Sequence, residues 1–75
     1  MNLKIGDILQ DTADGEVVKI LRLVSPYSDK IKCYCKILKP SVMYPLYSKG
    51  PVIRTIYIKR WKKLSKIERI LYKYE

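Results

Sequence analysis

From Ile31 to Lys39 (IKCYCKILK) the side chains repeat with a period of two. Ile31, Cys33, Cys35 and Ile37 share one face, and Lys32, Tyr34 and Lys36 share the other. That is the pattern of a half-buried strand and not of a helix. The segments around it read the same way. Glu16 to Val24 (EVVKILRLV) is a β-branched strand in which the alternation of Val17, Lys19 and Leu21 slips around Arg22, which predicts a bulge. Asp7 to Gln10 is a short first strand, and Pro51 to Arg60 (PVIRTIYIKR) a fourth, longer one. Asp11 to Gly15 is a turn, because Asp14-Gly15 supplies the positive-φ position that a hairpin needs. Ser25 to Asp29 is a second turn. Residues 40–51 carry three of the four prolines and fit no regular element.

After Trp61-Lys62-Lys63-Leu64 a helix begins. Ser65-Lys66-Ile67-Glu68 is a capping box: the Ser65 hydroxyl accepts from the Glu68 amide, and the Glu68 carboxylate accepts from the Ser65 amide. Ile67, Ile70, Leu71 and Tyr74 follow as one apolar stripe. Lys66, Arg69 and Lys73 fall on one flank of it at about 100° per residue. So short a helix is not stable alone, so the stripe is expected to dock on the sheet. Trp61 is expected as a core plug between the two.

The 75 residues make one domain, with strands over 1–62 and an amphipathic helix over 65–75. A chain of this size buries only about 60% of its unfolded surface, so the core is thin. Closely spaced strands joined by turns predict a mainly β fold: a small antiparallel barrel of four to five strands with a short C-terminal α-helix. Lys4-Ile5-Gly6-Asp7-Ile8, then Asp14-Gly15-Glu16-Val17-Val18-Lys19-Ile20, resembles the first hairpin of SH3-like small barrels over roughly the first third of the chain. The resemblance implies a half-open five-strand barrel with a terminal helix. Basic members of that architecture include KOW-type RNA binders and archaeal chromatin proteins. No single family's full signature is present, so no family's binding residues carry over.

Charge narrows the function. The net charge is +9, and it is unevenly spread. Residues 1–29 hold three cations and five anions; residues 30–75 hold thirteen cations and only Glu68 and Glu75. Such asymmetry suggests one cationic binding face. With no histidine, the commonest general base and all histidine-containing metal sites are excluded. Cys33 and Cys35 are expected as reduced core residues; zinc would need a second such pair from a dimer. Asp11, Asp14 and Glu16 do not have calcium-loop spacing and read as turn residues. A Gly-rich phosphate loop is lacking, as is a nucleophile with a visible base, so the chain is expected to be no enzyme and to need no cofactor. Met1 to Asp7 has no apolar stretch of signal-peptide length, and no uncharged run approaches a membrane span. The expected address is cytoplasmic or nucleoid, away from membranes.

Two readings follow. In the first the chain is a nucleic-acid-binding module, for DNA or RNA, without clear sequence specificity. Lys32, Tyr34 and Lys36 form a sheet platform that pairs phosphate contacts with base stacking. Arg54, Lys59, Arg60, Lys62, Lys63, Lys66, Arg69 and Lys73 supply further phosphate contacts. No acid lies three or four residues from Lys66 or Arg69, so like charges on the helix go uncompensated locally. In the second, a phage- or mobile-element-type inhibitor or adaptor grips an acidic surface of a host protein. Its anchors are Met43, Tyr44, Leu46 and Tyr47 of the proline-bounded 40–51 loop. That loop either serves this way or folds back to cap the barrel mouth. An exposed strand edge also leaves room for a homodimer by sheet extension.

Overall fold

The computed structural model describes residues 3–26, 30–42 and 51–74. Five strands, β1 (Ile8–Asp11), β2 (Val17–Pro26), β3 (Lys30–Lys39), β4 (Val52–Tyr57) and β5 (Trp61–Lys63), precede one helix, α1 (Lys66–Leu71). All five belong to one antiparallel sheet in the order β4-β3-β2-β1-β5. The sheet is open. β4 stops at Tyr57, where a turn closed by the Arg60 amide donating to the Tyr57 carbonyl reverses the chain. The fourth strand read over 51–60 therefore ends at Tyr57, and a fifth strand that the reading did not foresee, β5, pairs with β1 on the opposite edge of the sheet.

The β1–β2 turn forms as its residues require. Gly15 sits at φ +78, its amide donating to the Asp11 carbonyl. The Asp11 and Asp14 carboxylates accept from the Ala13 and Glu16 amides at 2.8 and 3.0 Å, two Asx turns in succession. The slip foreseen at Arg22 is real: the β2–β3 register shifts between Ile20 and Arg22, and again at Val17/Val18 and Leu23/Ser25. Ser25 and Pro26, read as the start of the second turn, instead continue β2 opposite Lys32 and Ile31. Residues 27–29 lie outside the described residues.

Strand alternation builds the core. Leu9, Val18, Ile20, Cys33, Cys35, Ile37, Ile56 and Trp61 pack together on the inner face, so Trp61 is a core residue but not the expected plug between sheet and helix, because the C-terminal segment meets the other face. Their strand neighbours Ile8 and Val17 are buried too, on the outer face, with Leu64; Leu38 and Tyr74 pack against them. The C-terminal segment therefore covers part of the sheet's outside, where the Leu64 amide also donates to the Ile8 carbonyl. Cys33 and Cys35 are free and fully buried, with their Sγ atoms 3.2 Å apart. Sharing that contact holds the Cys33 thiol below its ordinary range, and the same contact, with burial, pushes the Cys35 thiol up.

The helix starts as its sequence says. Ser65 is the N-cap, and both capping-box bonds are present at 3.2 Å. It ends earlier than position 75. Tyr72 is the C-cap and Lys73 follows at φ +58; the Lys73 and Tyr74 amides donate back to the Ile70 and Arg69 carbonyls. This is a Schellman close with lysine where glycine is usual. The apolar stripe does not dock as expected. Ile67, Ile70 and Leu71 are exposed, and of the four stripe residues only Tyr74 packs on the sheet. With only a turn and a half of helix after Leu64, the Schellman turn carries Tyr74 inward and leaves the stripe facing away. Among the described residues no helix is long and apolar enough to cross a membrane.

Candidate nucleic-acid interface

The cations expected to form one surface divide into two sets. Arg54, Arg60, Lys62 and Lys63 are paired with carboxylates. Arg54 lies on β4 opposite Cys33, hence on the inner face, and forks onto Glu16: Nε–Oε1 is 2.9 Å and Nη2–Oε2 is 3.2 Å. Glu16 is buried, and its hydrogen bond to Arg54 raises the guanidinium's pKa further. Arg60 forks onto Asp11 in the same way, Nε–Oδ1 and Nη2–Oδ2 both 2.9 Å, with Asp14 at 3.8 Å. Burial pushes the Asp11 carboxyl up, but the Arg60 guanidinium and the Ala13 and Asp14 amides outweigh it and hold it below its ordinary value. Lys63 reaches Asp7 at 3.3 Å. Lys62 reaches Glu68 at 2.9 Å; that bond, with the Ser65 amide, keeps the Glu68 carboxyl low.

So the acidic N-terminal third is the counter-charge of part of the basic C-terminal part. Arg54, Arg60 and Lys63, expected as phosphate contacts, make ion pairs with Glu16, Asp11 and Asp7 within the fold. Sequence distance hid this. The partners are 38 and 49 residues apart for the two arginines, far beyond any local spacing rule. The two arginines with Glu16 and Asp11 line a cavity of about 340 Å³, together with Asp14, Ser41, Thr55, Tyr57 and Trp61. Its three carboxylates outnumber its two guanidiniums, so it does not suit a phosphate.

The second set stays uncompensated. Lys32, Tyr34 and Lys36 lie on the outer face of β3, as their alternation implied. Directly across β2, Lys19 opposes Lys36 and Arg22 opposes Tyr34, with the guanidinium carbon 5.2 Å from the tyrosine ring centroid. Reading the sequence missed Lys19 and Arg22. The signal that could have found Arg22 was the slip in the β2 alternation: with Leu21 as the extra residue, Arg22 is set opposite Tyr34. None of Lys19, Arg22, Lys32 and Lys36 makes an ion pair among the described residues. Lysines directly opposite on neighbouring strands repel. The outer face thus carries a cationic row that nothing described in the chain neutralises.

Lys66, Arg69 and Lys73 are likewise without ion pairs among the described residues, as is Lys59, which sits in the β4–β5 turn. Tyr74 packs against the cluster of Ile8, Val17 and Leu64, and Ile8 is the β1 partner of Lys19, so the C-terminal segment meets the sheet on the face that carries the β2–β3 row. Met43, Tyr44, Leu46 and Tyr47 lie outside the described residues. Before that segment, Ser41 is buried and the Val42 amide donates to the Asp14 carbonyl at 3.1 Å, which ties the start of the loop to the β1–β2 turn. No protein-family model, no curated protein and no solved structure matches this chain.

Proposed function

We propose that this chain is a small, non-enzymatic nucleic-acid-binding module whose contact surface is the outer face of β2 and β3. Lys19, Arg22, Lys32 and Lys36 meet phosphates, and the Tyr34 ring with Arg22 laid on it offers a flat surface to a base. Lys66, Arg69 and Lys73 extend the track. Arg54, Arg60 and Lys63 stay outside it because their carboxylate partners are within the fold. The sheet order, with the first strand between the second and the last, supports reading the architecture as SH3-like. Lysine dominates the surface and acts as a point charge, which suits backbone contact more than base readout.

One observation carries the reading: Lys19 and Lys36 face each other with Arg22 and Lys32 on the same two strands, and among the described residues no acid is paired to any of them. Such a row costs stability until an anion covers it. Fluorescence anisotropy with a labelled 20-mer duplex and its single strand tests this. Four phosphate contacts predict a log–log salt slope of about −3.6 on the duplex, so affinity falls roughly 150-fold between 50 and 200 mM salt. Lys19→Gln with Lys36→Gln should flatten that slope by about 1.8. An unchanged slope in the double variant, or no salt dependence in the parent, overturns the reading.

A further inference from the structure

The helix α1 carries its apolar residues on the wrong side for a helix that merely decorates a sheet. Ile67, Ile70 and Leu71 are 70%, 66% and 71% exposed, whereas the half-buried positions of the helix are Glu68 and Arg69. At about 100° per residue the three apolar side chains fall on one face, with Lys66 along one margin of it. The helix's own acid, Glu68, is committed to Lys62 and to the Ser65 amide. The exposed apolar face, on the order of 400 Å², has the size that marks an interaction surface on a small monomer. It is also about half of what one side of a standard interface buries.

Charge decides what can cover it. A nucleic acid takes the cations but leaves the isoleucines in water. A second copy brings Lys66 against its own kind, on chains that each carry +9. A lipid surface is a poor match for six helical residues, which offer little apolar length to bury. What remains is a concave apolar surface of opposite sign, engaged by anchors at i, i+3 and i+4 as in helix-in-groove recognition. We propose that the outer face of α1 docks into an apolar groove rimmed by Asp and Glu on another protein, with Ile67, Ile70 and Leu71 as the core of the contact and Lys66 at its rim. The apolar anchors of this contact lie outside the β2–β3 track, which shares only Lys66 with it, and neither reading needs the other.

Calcium-loaded calmodulin is a suitable probe, because it presents an acid-rimmed, methionine-lined groove that closes when calcium is removed. Isothermal titration of the full chain against it should show 1:1 binding in the micromolar range. Adding EGTA should weaken it at least tenfold, although the acidic charge remains. Ile67→Glu with Leu71→Glu should also cost at least tenfold, and the neutral Ile70→Gln should move affinity the same way. Lys19→Gln with Lys36→Gln should leave it within about threefold. Circular dichroism confirms that each variant keeps its sheet. Four results overturn the proposal: no binding, binding indifferent to calcium, binding indifferent to the helix substitutions, or a parent chain that self-associates through Ile67 and Leu71. A fifth is preferential binding to phosphatidylserine vesicles that these substitutions abolish.

Discussion

Removing Arg54 separates a structural cation from a ligand-binding one. Arg54 forks onto Glu16 through two bonds, and the side chains of the pair are 37% and 9% exposed. Arg54→Met strips the partner from a nearly buried carboxylate. Breaking a fully buried pair costs about 3–5 kcal/mol. Here the guanidinium is more than one third exposed and water reaches the site, so the loss is reduced to about 2 kcal/mol. In a domain of 75 residues that lowers Tm by roughly 8–16 °C. Glu16→Leu added to Arg54→Met removes the orphaned charge and should recover most of the loss, leaving a coupling of about 1–2 kcal/mol. Thermal unfolding by circular dichroism at pH 7 gives the three Tm values. Duplex-DNA anisotropy at a temperature where all variants are folded gives the affinities, which should stay within about threefold of the parent. If Arg54→Met keeps its Tm within about 2 °C and loses binding tenfold, the division of the cations into structural and ligand-facing sets is wrong.

Two other outcomes follow from the geometry. The Asp11 carboxyl is held below its unfolded value, so its contribution is complete above about pH 4 and is lost as pH falls through the folded pKa. Tm should therefore hold nearly level from neutral pH to about 5 and drop below about 4, and Asp11→Asn should shallow that drop. At the helix, Ser65→Ala removes the cap at a cost of about 1 kcal/mol, and Lys73→Gly relieves the left-handed lysine and gains about as much. Because the helix stripe does not pack, both should show in the 222 nm signal and in exchange of the Arg69 and Tyr72 amides more than in the global Tm; equal Tm shifts with no local change would contradict the exposed stripe.

What the sequence made legible was local. The alternation of Ile31 to Ile37 located β3, Asp14-Gly15 located the first turn, and Ser65 with Glu68 located the helix start, because each signal acts over four residues or fewer, or repeats along one element. β5 was not legible, since three residues hold too little of a period to separate from the strand before them. The helix stripe at Ile67, Ile70 and Leu71 was legible as a stripe, but periodicity gives a face its composition and not its neighbour. For the site, Lys32, Tyr34 and Lys36 were found because one strand orders them. Lys19 and Arg22 needed the register of a second strand and the position of its bulge. The pairing of Arg54 with Glu16 and of Arg60 with Asp11 joins opposite parts of the chain, and no spacing rule reaches that far.

The pairing of β1 with β5 has a consequence for how the molecule comes into being on the ribosome. During synthesis the first strand emerges early, with one flank satisfied by β2 and the other left waiting until residues 61–63 clear the exit tunnel. Asp7, Asp11 and Glu16 wait as long, since their cationic partners come from residues 54–63. Nascent chains stalled short of Arg54 should thus be acidic at their front end, open along β1 and readily digested, and protection should arrive in one late step.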